Sequence, residues 1–72
     1  MTLTDLARAD ILVEDHGTVA LLRPLTKRGA FWLHDNVCSE PWQWMGPALA
    51  AEPRLVPQVL RGAVDAGLRV AA

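Results

Sequence analysis

A single cysteine, Cys38, stands in a chain of 72 residues, so no intramolecular disulfide can staple the fold. A chain this short buries only roughly 60% of the surface that its unfolded form exposes. The hydrophobic gain then narrowly exceeds the entropy lost on ordering. Stability must come from dense apolar packing or from a partner. The apolar fraction is 51%, enough for one self-supporting core and one domain.

One free thiol fits a reducing compartment. The N-terminus carries no basic segment followed by an apolar one, so no secretory signal is expected. The longest apolar runs fall far short of the ~20 residues that a membrane helix needs. These features read as a cytoplasmic protein. Seven basic and eight acidic residues give a formal net charge of −1. Duplex binders gather Lys and Arg against phosphates, yet the densest basic spot is Lys27-Arg28. A nucleic-acid mimic needs a block of carboxylates, and Glu14-Asp15 is too little. Direct nucleic-acid binding is therefore not expected.

Residues 1–9 read as a short helix capped by Thr4, a frayed arm or an added strand; residues 10–72 read as a single α+β domain. Ile11–Glu14 and Thr18–Arg23 are β-rich, with Asp15-His16-Gly17 as the turn and Gly17 supplying the positive φ. In that pairing Ile11, Val13, Val19 and Leu21 share one face, and Leu12, Ala20 and Leu22 the other. Pro24 ends the second strand. Thr26 caps a helix from Lys27 to about Val37, with Gly29, Trp32, Leu33, Asn36 and Val37 as its inward stripe. Trp42–Met45 alternates like a strand or an extended arm. The break at Gly46-Pro47 puts any such strand on an edge. Ala48–Ala51 is a further strand. A second helix starts near Pro53 or Arg54, with Pro57 inside its first turn. Leu55, Val56, Val59, Leu60, Ala63 and Val64 form its stripe, and Gly67 its C′ residue. Leu68–Ala72 closes the chain as a short strand. The expected order is β-β-α-β-α-β, a small two-layer sandwich with two helices on one face of one sheet.

Four segments carry a resemblance. They are His16-Gly-Thr-Val-Ala-Leu-Leu-Arg-Pro-Leu-Thr26, Trp32-Leu33, Trp44-Met-Gly-Pro-Ala-Leu-Ala-Ala-Glu-Pro-Arg54 and Asp65-Ala-Gly-Leu68. Over roughly residues 11–70 the chain resembles a group of short, uncharacterised proteobacterial phage and prophage proteins. The resemblance implies a mobile-element setting. Small proteins from that setting often inhibit host defence, anti-CRISPR proteins among them. It transfers no activity.

The residues themselves offer little chemistry. His16 sits in a turn. His34 and Asp35 are adjacent on a helix and do not face each other. His34 and Cys38 make an incomplete metal or nucleophile set, and a lone Cys is more often a small apolar filler. The glycines are spaced for turns and packing, not for a phosphate cradle. Glu52 and Arg54 can pair across a helix start. No catalytic, metal or cofactor site is expected.

The aromatics are the distinctive feature. Phe31, Trp32, Trp42 and Trp44 are all the chain has. Trp32 points inward, and Phe31 lies off the stripe. Trp42 and Trp44 either pack over the sheet or form an aromatic anchor for a partner. The expected binding residues are Trp42, Trp44 and Met45, followed by Phe31, Lys27 and Arg28. The expected function is a non-catalytic inhibitor, monomeric or homodimeric, that binds a host protein or protein complex. The alternative is an antitoxin or DNA-associated regulatory accessory.

Overall fold

The computed structural model describes residues 7–37 and 39–72. The expectations for residues 1–6 and for Cys38 lie outside them. The described chain is a small α+β domain. Its elements run β1 (Ile11–Asp15), β2 (Ala20–Pro24), α1 (Lys27–Asn36), a 3-10 turn (Pro41–Gln43), β3 (Trp44–Met45), β4 (Ala48–Ala51), a second 3-10 turn (Pro53–Leu55), α2 (Val56–Asp65) and β5 (Val70–Ala71). This is the β-β-α-β-α-β order with its third strand split in two at Gly46-Pro47. Gly46 has φ 62° at the first central position of the β3–β4 hairpin, where a type II′ turn favours glycine.

One five-stranded mixed sheet has the order β3-β4-β2-β1-β5. β1–β2, β2–β4 and β3–β4 are antiparallel, while β5 runs parallel to β1. The short β3 and β5 are the edges.

The β1–β2 register corrects the sequence-based pairing. The loop is four residues, His16–Val19, because Asp15 pairs with Ala20. Asp15 Oδ1 accepts the Gly17 N–H at 2.8 Å, and Val19 O accepts the His16 N–H at 2.9 Å. This side-chain-supported turn shifts the parity, so Val13 faces Leu22 rather than Val19 or Leu21. An odd change in loop count moves a whole strand to the other face. One face therefore carries Ile11, Val13, Ala20, Leu22, Leu49, Ala51, Trp44 and Val70.

Both helices cover that face. Leu33 from α1, together with Val56 and Ala63 from α2, joins Ile11, Leu22, Leu49 and Leu68 in one core. Trp32, Val37, Val59 and Leu60 pack around it. Asn36, placed by periodicity on the inward stripe, is exposed. The opposite face carries Leu12, Leu21 and the Glu14–Arg23 ion pair at 2.7 Å.

The helix boundaries follow local chemistry. Thr26 is extended, and its hydroxyl accepts the Gly29 N–H at 3.1 Å, which makes it the N-cap of α1. Pro57 sits in the first turn of α2, where its missing N–H costs nothing. Gly67, with φ 90°, ends α2, and its N–H reaches Val64 O.

Candidate functional site

The segment Trp42-Gln43-Trp44 divides its two indoles between two tasks. The alternation expected of an extended Trp42–Met45 segment would put both indoles on one face, but Trp42 belongs to a 3-10 turn and only Trp44 to a strand. Pro41, which opens the turn, is pre-set for helical φ. Gln43 pins both ends of it. Its Oε1 accepts the Glu40 N–H at 2.8 Å, and its Nε2 donates to Ala50 O at 3.2 Å. The polar residue between the tryptophans therefore fixes the turn to β4.

Trp44 faces the helices. Its indole lies flat against His34 of α1, with ring centroids 3.9 Å apart and planes 5° from parallel. Its Nε1 donates to Ser39 Oγ at 3.1 Å. Half-buried and fully engaged, Trp44 joins β3 to α1. Trp42 instead is 79% exposed. It borders a shallow cleft of about 300 Å³ formed with Thr18, Val19, Ala50, Ala51 and Glu52. A bare indole on a turn held by side-chain hydrogen bonds loses little entropy on binding.

The other candidates scatter. Met45, 61% exposed, pairs with Ala48 on the edge strand. Phe31, 66% exposed, lies on α1 three positions before His34, hence on the same side of the helix. Lys27 and Arg28 sit at the start of α1, at the far end of the sheet from Trp42. Arg28 is engaged there, donating to Gly67 O at 2.6 Å and approaching Asp10 Oδ2 at 3.5 Å. The structure does not gather all six residues into one patch.

Asp10 is a key residue that the sequence reading missed. It is buried at the start of β1. Its Oδ1 accepts from Thr26 Oγ1 at 2.7 Å and its Oδ2 from the Arg69 N–H at 2.9 Å. Its carbonyl oxygen accepts the Leu25 N–H at 2.8 Å. One residue thus ties together the helix cap, β5 and the β2–α1 connection. The Arg69 N–H bond, followed by the Thr26 bond, holds the carboxyl below its ordinary value, against the opposing cost of burial. A lone Asp before a β-rich run carries no sequence pattern that announces such a hub.

A groove of about 670 Å³ runs between the helices, bordered by Trp32, Val37, Leu55, Val59, Gly62 and Asp65 among others. Gly62 lets the Trp32 ring approach α2, since a Cβ there would lie 3.3 Å from its Cζ2. Among the described residues no group of three or more His, Cys, Asp or Glu side chains is placed to hold a metal ion. Among them, no helix is long and apolar enough to cross a membrane. Glu52 and Arg54 do pair, at 2.7 Å across the start of the second 3-10 turn.

Comparison with protein-family models, with curated proteins and with solved structures finds no match.

Proposed function

We propose that this protein is a non-catalytic protein-binding module of a mobile genetic element that inhibits a host defence complex in the manner of an anti-CRISPR protein. The observation that carries the binding reading is Trp42. The indole is 79% exposed on a turn braced by Gln43, so a partner can bury it at little cost in ordering. Tryptophan is enriched among the residues that dominate interface energetics. Met45, on the neighbouring edge strand, adds an adaptable apolar side chain. The defence setting rests on the resemblance to phage and prophage proteins described above.

The test is phage plating on a host with active CRISPR immunity, with and without this protein, in parent and Trp42→Ala forms. Restored plating by the parent and its loss in a folded Trp42→Ala variant is the expected result. Plating unaffected by the parent removes the anti-defence reading. A duplex-DNA mobility shift by the purified protein would favour a DNA-associated regulator instead.

A further inference from the structure

We infer that the segment seated on Trp42 is a cationic stretch of a partner protein, carrying exposed lysine or arginine. The inference rests on the protein-binding reading and names the chemistry of that same site. It is drawn from how the fold sorts charge along the sheet.

Asp15 pairs with Ala20, and Ala20 with Ala51, which brings the end of β1 into the row that reaches the Trp42 cleft. Glu52 lines the cleft, and Glu40 precedes the turn that carries Trp42. Residues 39–53 contain no Lys or Arg. Arg54 is the nearby guanidinium, engaged with Glu52 in an ion pair whose side chains are 81% and 61% exposed. Such exposed pairs exchange readily for other partners. His16 is the remaining titratable side chain of the β1–β2 loop. At the opposite end the Arg28 guanidinium and the Arg69 backbone N–H meet the buried Asp10, and Lys27 opens α1.

An accessible indole face beside carboxylates suits a guanidinium or ammonium group. The ring quadrupole attracts the cation, and the carboxylates steer it in. A nucleic-acid strand stacking on Trp42 would bring phosphates against Glu40 and Glu52, and stacking platforms are normally flanked by basic residues. A second copy docking its basic end here would make a head-to-tail contact, which builds rings or filaments rather than a two-fold dimer.

The test titrates the intact protein with an oligo-arginine peptide, an oligo-glutamate peptide and oligothymidylate, read by calorimetry, which does not depend on the indole removed. Oligo-arginine should bind, more weakly as salt rises. Trp42→Ala should weaken that binding about fivefold, and Glu52→Lys should weaken it as well. Oligo-arginine affinity unchanged in Trp42→Ala would overturn the inference. So would oligothymidylate or oligo-glutamate binding lost in Trp42→Ala, or self-association in sedimentation that Trp42→Ala abolishes. The two readings fail separately. Loss of plating in Trp42→Ala without Trp42-dependent oligo-arginine binding removes only the cationic partner. Plating unaffected by the parent, with Trp42-dependent oligo-arginine binding intact, removes only the inhibitor reading.

Discussion

His34 and Trp44 stack with ring centroids 3.9 Å apart and planes 5° from parallel, joining an exposed position of α1 to the edge strand of the sheet. This contact, with the Ser39 hydrogen bond, makes Trp44 a structural residue. A two-residue edge strand has few other ties to the helical layer. Trp44→Ala should therefore cost about 3 kcal/mol, the low end for tryptophans packed in cores. A domain of 72 residues has a total stability of only about 4–11 kcal/mol. His34→Ala should cost about 1 kcal/mol through loss of the stack alone. Urea unfolding of both variants checks this, and equal stability of Trp44→Ala and parent would show that the stack contributes nothing.

The Asp10 carboxylate gives the fold an acid dependence of known sign. Its folded pKa lies below the ordinary 3.8, first through the Arg69 N–H and then through the Thr26 hydroxyl. A depressed folded pKa means that the stabilisation is complete above the unfolded value of about 4. It is lost as pH falls through the lower folded value. Asp10→Asn keeps the shape but offers one acceptor where two donors point. It should cost about 1–3 kcal/mol at neutral pH, and the decline in stability below pH ~4 should be shallower than in the parent. Unfolding free energies measured across acid pH in both proteins decide it. A parallel pH dependence would assign the acid sensitivity to other carboxylates.

Much of the architecture was legible because local chemistry and packing agree. Thr26 caps the helix that its position announces, Pro57 fits the first turn of α2, and Gly67 takes the left-handed C′ position. The β1–β2 register was not legible. Gly17 signals a turn but not whether the loop holds three residues or four, and the Asp15 side chain decides that count in space. The candidate site was half legible. Phe31 lies off the apolar stripe of α1 and is exposed, as its spacing reads, whereas the pattern of Trp42 and Trp44 fits core and surface equally. The separation of Trp42 from Trp44 depends on Pro41 and Gln43 winding a 3-10 turn, where alternation alone reads as extended chain. Asp10 was invisible because its partners, Thr26 and Arg69, are distant in sequence.

Two glycines that look equivalent in sequence should respond differently to alanine. A Cβ on Gly29 would overlap the Asp10 carbonyl oxygen and lie 3.3 Å from Ile11 Cγ1. That oxygen is fixed by the Leu25 N–H, so backbone must move, and Gly29→Ala should cost about 2 kcal/mol or more. A Cβ on Gly62 meets only the edge of Trp32, which borders an open groove and has room to shift. Alanine also gains about 0.5–1 kcal/mol over glycine in a helix interior. Gly62→Ala should therefore match the parent within about 0.5 kcal/mol. Thermal melts of the pair give the comparison, and a larger loss for Gly62→Ala than for Gly29→Ala would contradict the packing described.

Trp42 should separate folding from binding. Its ring is mostly in water, and the turn beneath it is held by Gln43 rather than by the indole. Removing the ring leaves those bonds in place, so Trp42→Ala should change stability by no more than about 0.5 kcal/mol. Gln43→Ala should loosen the turn without deleting the ring, at a cost of about 1 kcal/mol for the hydrogen bonds lost. In fluorescence, acrylamide should quench the parent strongly and Trp42→Ala weakly, because the remaining indoles, Trp32 and Trp44, are packed against the core. On a partner for which Trp42 is the anchor, truncation should cost about 2 kcal/mol or more, roughly thirtyfold in Kd. Gln43→Ala should lose a smaller part of that affinity through the entropy of ordering the turn. A Trp42→Ala variant that unfolds would place the indole in the core. One that folds and binds at parental affinity would place the interface elsewhere, with Phe31 on the exposed side of α1 the next aromatic to truncate.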